Sequence, residues 1–124
     1  MITNAIRTCI LAVDDESDLL MLFKKSLTAK GFFVTTSLNA HNFWETVLVE
    51  HPDIIFLDVN MDGINGAELC TQLKREPKTS AIPVVMLSAI FDIKDLAHTC
   101  GAEGFVTKPY STAKIVSEIN RILA

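Results

Sequence analysis

The chain has 124 residues, 49% of them hydrophobic and 21% charged, with a formal net charge of -4 and a pI near 5.2; these values fit one soluble globular domain with its own core. An acidic balance without a basic stripe argues against direct nucleic-acid binding, and no apolar run approaches the ~20 residues that span a bilayer, so no membrane insertion is expected. Residues 1–7 lack the charged start and apolar stretch of a secretory signal, and the scattered Cys9, Cys70 and Cys100 offer neither a disulfide framework nor a metal-ligand pair, which places the chain in a reducing cytoplasm.

Strand and helix alternate five times without a linker, so one domain is expected over residues 1–124. The first apolar run, Cys9 to Val13, ends on Asp14 and Asp15. Residues 16–30 carry Leu19, Leu22, Phe23 and Ser26 at helical spacing, with Lys24, Lys25 and Lys30 on a solvated face and Gly31 as the stop. A β-rich run follows at 32–36. Asn39 reads as the cap of a helix whose Ala40, Phe43, Trp44, Val47 and Leu48 fall on one stripe, and Pro52 breaks it. The run at 54–57 leads into Asp58. Asn65 with Glu68 reads as a capping pair opening a third helix through Arg75. Pro77 and Pro83 bracket a loop into the run at 84–87, which ends on Ser88. Ile93, Leu96, Ala97 and Cys100 form a short stripe stopped by Gly101. The run at 104–107 leads into Lys108 and Pro109. Ser111 caps the last helix, with Ile115, Ile119, Ile122 and Leu123 on its inner face. His41, His51 and His98 are isolated and fit surface positions better than metal ligation.

This alternation implies an α/β fold: a doubly wound, five-stranded parallel sheet covered by five helices. Right-handed crossovers favour the flavodoxin-like order 2-1-3-4-5. Strands one and three are then neighbours, which sets the Asp14–Asp15 pair beside Asp58, with Ser88 and Lys108 on the same carboxyl edge. Two unit charges ~4 Å apart repel by about 4 kcal/mol at an effective dielectric of roughly 20. Such a cluster persists when a hard cation occupies it or one member keeps a proton. An oxygen-only set suits Mg²⁺. Asp15 is assigned as the main direct ligand and Asp14 as a ligand through water or its orienter. Asp58 gives one oxygen, and the Asn60 backbone carbonyl is a further candidate. The other oxygen of Asp58 can attack phosphorus, with Lys108 and Ser88 as donors to the phosphoryl oxygens. Each of these residues alone also fits a plain structural role, such as a helix cap for Asp14 and Asp15; the joint placement at four strand ends favours the site.

The chain resembles the receiver domain of bacterial two-component response regulators, including the single-domain chemotaxis regulator, from about Thr8 to Leu123. The resemblance rests on Val13-Asp-Asp-Glu16, Phe56-Leu-Asp-Val-Asn-Met61 with Gly66, Leu87-Ser-Ala89, Gly101-Ala102 and Lys108-Pro109-Tyr110. It implies that Asp58 accepts a phosphoryl group from a sensor histidine kinase or histidine phosphotransfer protein. It also implies a cis peptide between Lys108 and Pro109. Phosphorylation would draw the Ser88 hydroxyl inward, let Phe105 turn, and reshape the face of helix four, strand five and helix five for a downstream partner or an output domain outside this chain.

Three departures from the family pattern stand out. Asp62 occupies a position where proline is usual, Phe105 replaces the commoner tyrosine, and the stretch from Ser88 to Lys108 is two residues shorter than usual. The resemblance implies that Ile90, with Asn60, stands where the family controls access of hydrolytic water, and the branched apolar side chain of Ile90 predicts slow phosphoryl loss. Two other classes compete with the switch: a Mg²⁺-dependent phosphohydrolase with an aspartyl nucleophile, and a receiver-like interaction module indifferent to phosphate. The first wants a second acid where this chain has Asn60. Beyond self-catalysed phosphotransfer and slow autodephosphorylation, no enzymatic turnover is expected.

Overall fold

A computed structural model describes residues 7–39, 42–61, 64–89 and 93–124. Five strands, β1 (Cys9–Val13), β2 (Phe33–Ser37), β3 (Ile54–Asp58), β4 (Val84–Ser88) and β5 (Gly104–Thr107), form one sheet in the order β2-β1-β3-β4-β5. Every neighbouring pair is parallel. The expected order 2-1-3-4-5 is therefore the observed one. β3 and β4 are buried along their whole length, which is why they read as unbroken apolar runs rather than alternating ones. Successive residues feed opposite faces. Leu11, Val13, Ile55 and Leu57 pack on one side with Phe43, Val47, Leu69 and Leu73. Ile10, Ala12, Ile54 and Phe56 pack on the other with Leu20, Phe23, Leu27, Ile115 and Ile119.

Helices α1 (Ser17–Ala29), α2 (Phe43–Glu50), α3 (Gly66–Arg75), α4 (Ile93–Cys100) and α5 (Thr112–Leu123) cover the two faces. The α3 and α5 caps form as expected. The Asn65 side chain accepts from the Ala67 and Glu68 amides, and the Ser111 hydroxyl accepts from the Lys114 amide. Gly31 and Gly101 take positive φ at the ends of α1 and α4.

Expectations on three helices need correction. The inner stripe of α1 is Leu20, Phe23 and Leu27, whereas Leu22 is 62% exposed. Leucines at 19, 20 and 22 support two overlapping stripes, and packing against β2 selects the second. Helix α2 starts at Phe43, with Asn42 as its cap residue, rather than at Asn39. The Ser37 hydroxyl donates to the Asn39 carbonyl at 2.8 Å, closing a turn directly after β2 so that the first helical bond forms later, from the Thr46 amide to the Asn42 carbonyl. Phe43 and Val47 are buried as expected and Trp44 is half-buried, but Leu48 faces outward. Ala40 and His41 lie outside the described residues. On α5, Leu123 is exposed, and Glu118 takes a buried position that the apolar pattern does not show.

Candidate functional site

The sheet's carboxyl edge gathers the predicted residues. Asp14 directly follows β1 and is 1% exposed. Its amide donates to the Ser37 carbonyl at 3.2 Å, and its Oδ1 accepts from the Glu16 amide at 3.1 Å, a local turn that aims the carboxylate while opening α1. Asp58 and Ser88 end β3 and β4 and are buried. Lys108 follows β5, anchored by its amide donating to the Ser88 carbonyl at 2.9 Å. The peptide bond after it, to Pro109, is cis.

The Lys108 ammonium donates to Asp14 Oδ2 at 2.9 Å. It lies 3.3 Å from Asp58 Oδ1 and 3.6 Å from Glu16 Oε1. Asp14, Asp15 and Asp58 each present a carboxylate oxygen, all within 4.8 Å of one another, with Asp15 the exposed member. One cation thus serves a crowd of acids. Burial and Asp14 push the Asp58 carboxyl up to about 6, against the pull of Lys108, with Asp15 adding to the rise. Burial alone would lower the Lys108 ammonium, but its bond to Asp14 and the charge of Asp58 outweigh that and hold it high. The two shifts are consistent: Lys108 is well satisfied, mainly by Asp14, and Asp58 receives only part of its charge. Burial also pushes the Tyr110 hydroxyl up to about 12; that ring stands edge-on to Phe23, 6.3 Å between centroids.

Beyond Asp58 the chain folds back through a two-residue antiparallel ladder, Asn60–Met61 with Ile64–Asn65. Asn60, two residues after Asp58, is exposed there. The Val59 amide donates to the Leu87 carbonyl at 3.0 Å and the Gly66 amide to the Val59 carbonyl at 2.9 Å. These bonds clamp the Asp58 backbone between β4 and the start of α3. A Cβ at Gly66 would sit 2.9 Å from the Val59 Cα and run into the Asp58 carbonyl oxygen. Gly66→Ala is therefore expected to destabilise the domain by about 1–3 kcal/mol, since both neighbours are backbone and cannot step aside cheaply. An unchanged urea midpoint would contradict that reading.

Phe105 lies at the middle of β5, opposite Met86 in register, and is 36% exposed. It lines a surface groove of about 920 Å³ together with Lys94, His98, Lys114 and Arg121. That groove runs along α4, β5 and α5, away from the carboxylates. Asp62 and Ile90 lie outside the described residues. Sequence reading missed Glu16 as a further acid facing Lys108; its only signal was its position directly after Asp15.

A family model described as "Response regulator receiver domain" matches residues 10–120. The chain is 33% identical over 116 residues to the phosphate regulon transcriptional regulatory protein PhoB of Rhizobium meliloti, covering 92% of this chain and 51% of that protein. It is 35% identical over 119 residues to the transcriptional regulatory protein CseB of Streptomyces coelicolor, covering 94% and 50%. The chain thus spans about half the length of these curated relatives. Among solved structures, a putative response regulator from Chloroflexus aurantiacus superposes with a TM-score of 0.87 at 26% identity, covering 95% of this chain and 98% of that one. The chemotaxis protein CheY4 of Vibrio cholerae shares the fold with a TM-score of 0.87 at 23% identity, covering 94% and 99%. Motifs, sheet order and family match agree: the chain belongs to the response regulator receiver domains of two-component systems.

Proposed function

We propose that residues 1–124 form a single receiver domain acting as a phosphorylation-dependent switch in a two-component phosphorelay, with Asp58 accepting a phosphoryl group from a phosphohistidine. The donor is a sensor histidine kinase or a histidine phosphotransfer protein. The observation that carries the reading is the sharing of the Lys108 ammonium between Asp14 and Asp58, with an Asp15 carboxylate oxygen within 4.8 Å of theirs. The donor set is all oxygen and short of positive charge, which fits Mg²⁺. Asp14, Asp15, Asp58 and the Asn60 carbonyl would hold the ion, and it would supply screening between the Asp58 carboxylate and an incoming anion.

The remaining steps belong to the chain's own residues. An Asp58 oxygen attacks phosphorus, the donor's phosphorus–nitrogen bond breaks, and the released imidazole takes up a proton. Lys108 holds a phosphoryl oxygen by charge. The Ser88 hydroxyl moves toward the new group, and Phe105 turns in from its outward position. The face of α4, β5 and α5 changes shape for a downstream protein or an output domain outside this chain. Ile90 and Asn60 govern water access to the acyl phosphate and make its loss slow. An aspartyl phosphohydrolase is disfavoured by family membership and by Asn60 at the position where a proton-donating acid would stand. Among the described residues no helix is long and apolar enough to cross a membrane, and action in the cytoplasm is part of this reading.

Beryllium fluoride with Mg²⁺ builds a phosphoryl-like group on a carboxylate and tests the switch. Hydrogen exchange is expected to change in α4 and around Phe105 in β5, beyond the residues that contact Asp58, in the wild type and not in Asp58→Asn. A response confined to the residues around Asp58 would remove the switch from the account.

A further inference from the structure

Cys70 and Cys100 are widely separated in sequence yet meet in the core, where α3 packs on α4. Cys70 is fully buried and Cys100 is 6% exposed. The Cys70 thiol lies 3.4 Å from the Cys100 carbonyl oxygen, 30 residues along the chain. The Cys100 thiol lies 3.5 Å from the Ala97 carbonyl oxygen in the last turn of α4. Each thiol also feels the other, which raises Cys70 and lowers Cys100. Neither takes part in the acidic site, and the two residues meet where the Cys70 thiol reaches the Cys100 carbonyl.

We propose that Cys70 and Cys100 are a modification site, a buried dithiol that a hydroperoxide converts to an intrachain disulfide tying α3 to α4. Cys100 is the attacking group, being the less buried of the two. The neighbouring Cys70 lowers its thiol while burial opposes, and Cys70 is correspondingly raised. The Cys100 thiolate displaces hydroxide from the peroxide oxygen and becomes a sulfenic acid. The Cys70 thiol then attacks that sulfur, forming the sulfur–sulfur bond and releasing water. The peroxide is reduced, and the dithiol loses two electrons and two protons.

The bond would fix the C-terminal end of α4, the helix whose Lys94, Ala97 and His98 line the groove beside Phe105. Its effect on output rests on the switch reading above; its formation does not. Tying α3 to α4 would leave the carboxylates untouched while holding one wall of the groove still.

Treat the intact, folded protein with hydrogen peroxide, block free thiols, digest without reductant and map the peptides. A linked pair containing Cys70 and Cys100, two hydrogens lighter than the separate peptides and released by dithiothreitol, is expected. It should be absent from Cys70→Ala and from Cys100→Ala, whose folding is checked by their melting curves. The linked form should melt higher than the reduced form, because the cross-link restrains the unfolded chain. Full alkylation of both cysteines after peroxide, or oxidation confined to Cys9, would overturn the proposal, as would further oxidation of Cys100 without linkage. If linkage forms but beryllium fluoride still changes exchange in α4 equally in both redox states, the disulfide stands and its control of output falls.

Discussion

Asp58→Asn is expected to be more stable than the wild type at pH 7 without divalent metal, by about 2–3 kcal/mol, or about 10 °C in melting temperature at the upper bound. The wild-type carboxyl is held at about 6 against an ordinary 3.8, so ionising it in the folded state costs about 3 kcal/mol. Asn removes that charge and still accepts from Lys108. The folded value is raised, so this penalty is absent below the ordinary value, grows as pH rises between about 4 and 6, and is complete above that window. The stability gap between variant and wild type should therefore close toward pH 4. Urea melts in chelator across that range measure it. A variant no more stable than wild type at pH 7, or a gap that ignores pH, would contradict the electrostatic picture. A site that destabilises its own fold fits a functional cluster rather than a structural one.

The second large effect concerns Lys108. Lys108→Met removes the ammonium that donates to Asp14 at 2.9 Å and stands 3.3 Å from Asp58. Asp14 is 1% and Asp58 4% exposed, so neither recovers much hydration when its partner goes. Breaking a buried pair by deleting one side costs about 3–5 kcal/mol, and the lower end applies here because Asp15 opens to solvent. A divalent ion would supply the missing charge. Mg²⁺ should therefore raise the melting temperature of Lys108→Met more than that of the wild type and narrow the gap between them. A gap unmoved by Mg²⁺ would mean that the carboxylates do not share one ion.

The sheet was legible because its central strands are buried on both faces, so 54–57 and 84–87 stand out as apolar runs ending on polar residues. The site was legible for the same reason: in a parallel sheet, the residues just past the strand ends lie along one edge. Helix boundaries were less readable. Asn39 and Asn42 both suit a cap by residue type, and the choice between them is made by the Ser37 hydroxyl, a contact that propensity does not encode. The α1 stripe was ambiguous because leucines fall on both candidate faces. The division of Lys108 between Asp14 and Asp58 depends on distances across 94 residues of chain, which spacing cannot rank. Cys70 and Cys100 looked scattered for a like reason: neighbours in the packing of α3 on α4 are 30 residues apart in sequence.

The central claim is that one acidic cluster lets a single side chain take a phosphoryl group. Intact mass after incubation with acetyl phosphate and Mg²⁺ tests it most directly. The account predicts one added phosphoryl group, mapped to Asp58 and lost with chelator or in Asp58→Asn. An unmodified wild type, or an Asp58→Asn protein that gains the same mass, would contradict it.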